Sequence, residues 1–99
     1  MKLVTQTDTP DTFRNWLSVV DILKKDFPTT KKNTTAVTAG KYKGDLYGLF
    51  ASMGIPSEYF VPIMMVNGIK SSISYNGDIT SFVIPDENVL SVYRMAFTT

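Results

Sequence analysis

The sequence predicts a single α+β domain built from a mixed sheet, one helix packed on that sheet, and an additional amphipathic helix near the N-terminus. Three observations predict it. Phe13, Trp16, Leu17, Val20, Leu23 and Phe27 recur at spacings of three and four, which draws one apolar stripe on a helix. Tyr59 to Val66 is a dense apolar run of strand length, and Asn67-Gly68 after it is the dipeptide most tolerant of the positive φ angles a tight hairpin needs. Val89 to Phe97 is rich in strand-forming residues and closes the chain as a last strand.

Taken in order, Lys2 to Thr7 is a candidate first strand. The amphipathic helix follows over residues 9–27, with Thr9 as cap, Pro10 at the first helical position, Asp11 near the positive end of the dipole, Lys24 and Lys25 in the last turn, and Pro28 as the stop. Pro28 to Asn33 is polar and reads as a loop, and Thr34 to Thr38 is β-branched and reads as a strand. From Asp45, a plausible cap, a short helix carries Leu46, Leu49, Phe50 and Met53 on one face, with Gly54 as its C-terminal glycine and Pro56 beyond. After Asn67-Gly68, Ile69 to Tyr75 alternates loosely, with Ile69, Ile73 and Tyr75 on one face, up to a second turn at Asn76-Gly77. Ile79 to Ile84 is mixed, and Pro85-Asp86-Glu87-Asn88 makes a polar turn before the last strand.

Ninety-nine residues make one domain, residues 1–99, and 43% hydrophobic against 19% charged residues is too apolar for disorder. No apolar run is long enough to cross a bilayer, and no apolar leader opens the chain, which sets the cytoplasm as the expected location. The Thr-rich composition is also compatible with a virion component. With neither cysteine nor histidine, the chain has no thiolate nucleophile, no usual zinc ligand set and no imidazole base, so no catalytic residue, metal or cofactor is expected. A net charge of +1 gives no global attraction to nucleic acid or anionic lipid.

Leu46 to Tyr93 resembles the ubiquitin-like sulfur carriers of thiamine and molybdopterin synthesis. The resemblance rests on Met53-Gly54-Ile55-Pro56 ending a helix, Val66-Asn67-Gly68 ending a strand, and Pro85-Asp86-Glu87-Asn88 before Val89 to Tyr93. It implies a β-grasp (ubiquitin-like) domain. Carriers of that group end in Gly-Gly, whereas this sequence ends Met95-Ala96-Phe97-Thr98-Thr99, so no residue inherits the carrier chemistry. The sequence also resembles the LysM glycan-binding module. Gly44-Asp45-Leu46-Tyr47, a helix ending at Gly54, then Asn67, and Tyr75-Asn76-Gly77 leading to Val83-Ile84-Pro85 match its Gly-Asp-Thr-Leu opening and Tyr-x-Gly ending, without the Thr and with a longer final stretch. A LysM module needs Ser57 to Val66 to be helical, against which stands Pro62 in mid-segment.

The functional expectation is a non-enzymatic protein–protein interaction module, a small subunit, adaptor or structural component of a larger assembly. The alternatives are a sulfur-carrier relative lacking its tail and a LysM-like glycan binder. Ile69, Ile73, Tyr75 and Met65 are the expected partner surface, on a strand that could pair with a partner strand. Trp16 is expected in the core, and Met64 and Met65 on opposite faces of their strand. Asp45, Glu58, Asp78, Asp86 and Glu87 fall near turns and helix ends, where acids are ordinarily solvated. Lys24, Lys25, Lys31, Lys32, Lys41 and Lys43 gather six of the ten basic residues into one stretch, a candidate basic patch for an acidic partner or a phosphate backbone.

Overall fold

The computed structural model describes residues 10–98. The candidate strand at Lys2 to Thr7 and the Thr9 cap lie outside them. In chain order the elements are α1 (Pro10–Leu17), α2 (Val20–Lys25), β1 (Thr29–Asn33), α3 (Ala36–Lys41), α4 (Leu46–Ser52), a 3-10 turn (Ser57–Tyr59), α5 (Phe60–Val66), a second 3-10 turn (Ser72–Ser74), β2 (Ser81–Pro85) and α6 (Glu87–Thr98). The expected β-grasp is not formed. Among the described residues the only sheet is the antiparallel pair β1–β2, with six helices around it, so the expected mixed sheet is not present among them.

Three misassigned segments account for the difference. The apolar run expected as a strand is α5, in which Phe60, Val61, Pro62, Ile63, Met64 and Val66 are all buried. A helix apolar on every side belongs inside a protein, and a continuous run cannot be told from a buried strand by periodicity. Pro62 is the third residue of α5, within the first turn, where backbone N–H groups have no intrahelical acceptor to lose. Asn67-Gly68 does use a positive φ, +75° at Gly68, but it ends a helix instead of turning a hairpin.

The closing segment expected as a strand is α6. Its Leu90, Tyr93 and Phe97 recur at helical spacing, and Asp86 caps it by accepting from Val89 N at 3.3 Å through its side chain and from Leu90 N at 3.0 Å through its carbonyl. Ile69 to Tyr75, the third, is a loop and a 3-10 turn. The strand expected at Thr34 to Thr38 lies one step earlier, in the segment expected as a loop, because the Thr35 side chain accepts from Thr38 N at 3.1 Å and opens α3. The long first helix breaks into α1 and α2 at Ser18-Val19, where the Ser18 hydroxyl donates back to Asn15 O at 2.7 Å.

The helix begun by Asp45 is formed as expected: α4 is capped by Asp45 accepting from Gly48 N at 3.0 Å, and buries Leu46, Leu49 and Phe50. Phe50 lies within ring contact of Phe60 on α5 at 5.9 Å and of Phe82 on β2 at 5.3 Å, so one side chain ties α4, α5 and the sheet together. Both α1 and α2 pack on α5. Trp16 is buried and meets Phe97 edge-on at 4.9 Å, joining α1 to α6, whereas Leu17 and Phe27 of the expected stripe are exposed.

β1 runs Thr29 opposite Pro85 to Asn33 opposite Ser81. The flanking bonds Thr34 N to Thr80 O and Asp86 N to Pro28 O put the backbone groups of residues 80, 82, 84 and 86 toward β1, which leaves those of Val83 and Pro85 on the edge away from it. Pro85 has no N–H to lose on that edge. Val83 is met by the side chain of Asn67: its Oδ1 accepts from Val83 N at 2.8 Å, and its Nδ2 donates to Val83 O at 2.9 Å and to Ile63 O at 2.7 Å. One amide thus stands in for a third strand and locks the end of α5 to the sheet.

Candidate functional site

Two loops between the strands carry the motif residues singled out in the sequence, and they abut. The first runs from α3 through Tyr42 and Gly44 into the Asp45 cap, and the second from Ser71 to Asp78. Gly44, at φ +80°, donates its N–H to Tyr75 O at 2.7 Å, and Tyr47 N donates to Ser72 Oγ at 3.0 Å. Gly77 takes φ +84° and passes under α3, so a side chain there would start 3.4 Å from Ala39 O and 3.6 Å from Gly40 Cα. That position calls for glycine on backbone conformation, while the space under α3 would leave a Cβ in ordinary contact.

The 3-10 turn is closed by a reciprocal cap: Ser71 N donates to Ser74 Oγ at 3.2 Å, and the Ser71 side chain accepts from Ser74 N. Asp78 N donates to Asn76 Oδ1 at 3.0 Å, and the Tyr75 hydroxyl donates to Ile79 O at 2.6 Å. Aromatic rings fix both loops to the core, Tyr47 against Phe60 at 5.1 Å and Tyr75 against Phe82 at 6.2 Å.

The expected partner residues do not share one exposed face. Tyr75 and Ile69 are buried, at 3% and 9% exposure, while Ile73 on the 3-10 turn is 81% exposed. Met65 is half-buried and lines an apolar hollow of about 280 Å³ with Phe13, Leu17, Val20, Gly68, Ile69 and Lys70. No strand runs through Ile69 to Tyr75, so the strand pairing expected there has no template. The six lysines are all exposed but distributed: Lys24 and Lys25 end α2, Lys31 and Lys32 point to opposite faces of β1, Lys41 ends α3 and Lys43 lies two residues beyond it. Among the described residues no group of three or more acidic side chains could hold a metal ion. None of the described helices is long and apolar enough to cross a membrane.

Two side chains that organise this site were missed. Ser72 reaches Tyr47 across 25 residues, and no local pattern marks a serine for such a contact. Thr35, expected in a strand, begins the helix that covers Gly77. The loops offer backbone groups, hydroxyls, the side-chain amide of Asn76, the exposed Ile73 and the exposed charged side chains Lys43, Asp45 and Asp78, a set that can meet a polar ligand carrying a small apolar group.

Burial, and then the nearby Asp78 carboxylate, raise the Tyr75 phenol above its ordinary value of 10.0. The fold therefore favours the neutral phenol. Its contribution is complete below about pH 10 and is lost as the pH climbs through the raised value. Tyr75→Phe should cost about 1 kcal/mol in urea unfolding at neutral pH, from the lost bond to Ile79 O, and should flatten the decline of stability in alkali.

Comparison with known protein families, curated proteins and solved structures finds no match.

Proposed function

We propose that this chain is a non-enzymatic glycan-recognition module of the LysM type. The observation that carries the reading is that β1 and β2 pair antiparallel and enclose the helices α4 and α5, with residues 57–66 helical, the requirement Pro62 had counted against; with α3 included, the order from Thr29 to Pro85 is β-α-α-α-β. Supporting it, the Gly44-Asp45 opening and the Tyr75-Asn76-Gly77 segment are in hydrogen-bond contact. The chain departs from the family pattern in lacking the Thr and in placing α3 between β1 and Gly44. That helix narrows the approach to the second loop and leaves Ile73 as the most exposed large apolar side chain beside it.

Retention on insoluble chitin or peptidoglycan, released by soluble oligosaccharide, is the expected result. Ile73→Ala, at a position too exposed to affect folding, should weaken retention about tenfold through lost apolar contact. No retention on either polymer would overturn the glycan reading.

A second reading, a small subunit or adaptor that meets a protein partner in a larger assembly, is favoured by the apolar side chains left outside on the helices. Leu17, Val92 and Met95 are 56%, 65% and 63% exposed, and Phe27 with Asn88, Val89, Val92 and Tyr93 borders a second hollow of about 280 Å³. Loss of partner association on Val92→Ser, with glycan retention intact or absent, would separate this surface from the loops.

A further inference from the structure

The sequence contains two Asn-Gly pairs, and the structure treats them oppositely. Glycine after asparagine is the one residue whose missing side chain leaves its backbone nitrogen open to attack the asparagine amide. At Asn67-Gly68 that path is closed on both sides. The Asn67 amide is held by Ile63 O, Val83 O and Val83 N, and Gly68 N is committed to Met65 O at 3.0 Å.

Asn76-Gly77 has the contrary arrangement. Asn76 is exposed, and Gly77 N donates no hydrogen bond among the described residues. Asp78 N–H sits 3.0 Å from Asn76 Oδ1, the oxygen on which negative charge develops when the amide carbon is attacked. The nucleophile is free and the carbonyl is polarised by a neighbouring donor.

We propose that Asn76 is a site of spontaneous covalent modification in the folded protein, and that Asn67 is protected from it. The Gly77 nitrogen adds to Asn76 Cγ; the N–Cγ bond forms, the Cγ–Nδ2 bond breaks, and ammonia leaves with the proton that Gly77 N gives up. Water then opens the resulting cyclic imide at either carbonyl, giving aspartate at 76 or its isoaspartyl isomer. No oxidant or cofactor takes part.

Either product alters the second loop. A carboxylate arrives two residues from Asp78. The isoaspartyl form also lengthens the main chain by one methylene between Tyr75, whose carbonyl holds Gly44 N, and Gly77, which passes under Ala39.

Tryptic cleavage puts the two pairs in separate peptides, 44–70 and 71–94, so the purified protein can be incubated in mildly alkaline buffer and both followed by mass spectrometry. In the folded protein, conversion at Asn76 should outpace Asn67 by about a hundredfold, because attack at Asn67 first requires loss of its hydrogen bonds. In denaturant the two rates should converge. Asn76→Ser should abolish conversion of the 71–94 peptide, which separates the site from Asn88 in the same peptide. Equal rates at Asn67 and Asn76 in the folded protein, or faster conversion at Asn67, would overturn the proposal.

Discussion

Phe50→Ala is expected to destabilise the protein by about 4 kcal/mol, the range for removing a fully buried phenylalanine and leaving a cavity. Phe50 has no exposed surface, and its ring contacts Phe60 and Phe82 at 5.9 and 5.3 Å, so the cavity would open where α4, α5 and β2 meet. A domain of this size is ordinarily stable by about 5–15 kcal/mol, so the variant should lie near the folding limit. Phe50→Leu, which retains most of the volume, should recover a large part of the loss. Urea unfolding followed by Trp16 fluorescence reads both. Equal stability of Phe50→Ala and the wild type would mean that the three elements are held by something other than this ring cluster.

Asn67→Ala should cost about 3 kcal/mol, near 1 kcal/mol for each of the three hydrogen bonds its amide makes. At this chain length that corresponds to a fall in Tm of roughly 15 °C. Asn67→Asp is a sharper test. The carboxylate keeps an acceptor for Val83 N but sets an oxygen against Ile63 O and Val83 O, where the amide nitrogen had donated. Its loss should match that of alanine despite the near-identical shape. Thermal unfolding followed by circular dichroism measures both, and a neutral Asn67→Asp would contradict the clamp.

What the sequence made legible and what it did not divide along local and non-local lines. The helix opened by Asp45 was readable because its cap, its apolar face of Leu46, Leu49 and Phe50, and Gly54 at φ +83° all lie within ten residues. α5 was not readable as a helix. Its apolar residues face inward on every side, which removes the period, and Pro62 counts against a helix unless the helix begins just before it. α6 was hidden by its valines and aromatics, although Leu90, Tyr93 and Phe97 keep helical spacing and Asp86 caps them.

β1 has no local signal at all. Every one of its residues is exposed, and only its pairing with β2, some fifty positions on, makes it a strand. For the site, Gly44-Asp45 and Tyr75-Asn76-Gly77 stood out as motifs, but their contact was not visible, and neither was Ser72. The partner surface expected from alternation along Ile69 to Tyr75 dissolved with the strand: Ile69 and Tyr75 turned inward and Ile73 alone stayed outside.

The most direct measurement is an NMR titration of the isotope-labelled protein with a soluble chitin oligosaccharide and, separately, a soluble peptidoglycan oligosaccharide, following the backbone amides. The glycan reading predicts saturable shift changes concentrated at residues 42–48 and 71–78, the two loops joined through Gly44 and Tyr75. A spectrum unchanged at high concentration of both oligosaccharides, or changes confined to α1 and α6 around Leu17 and Val92, would contradict it.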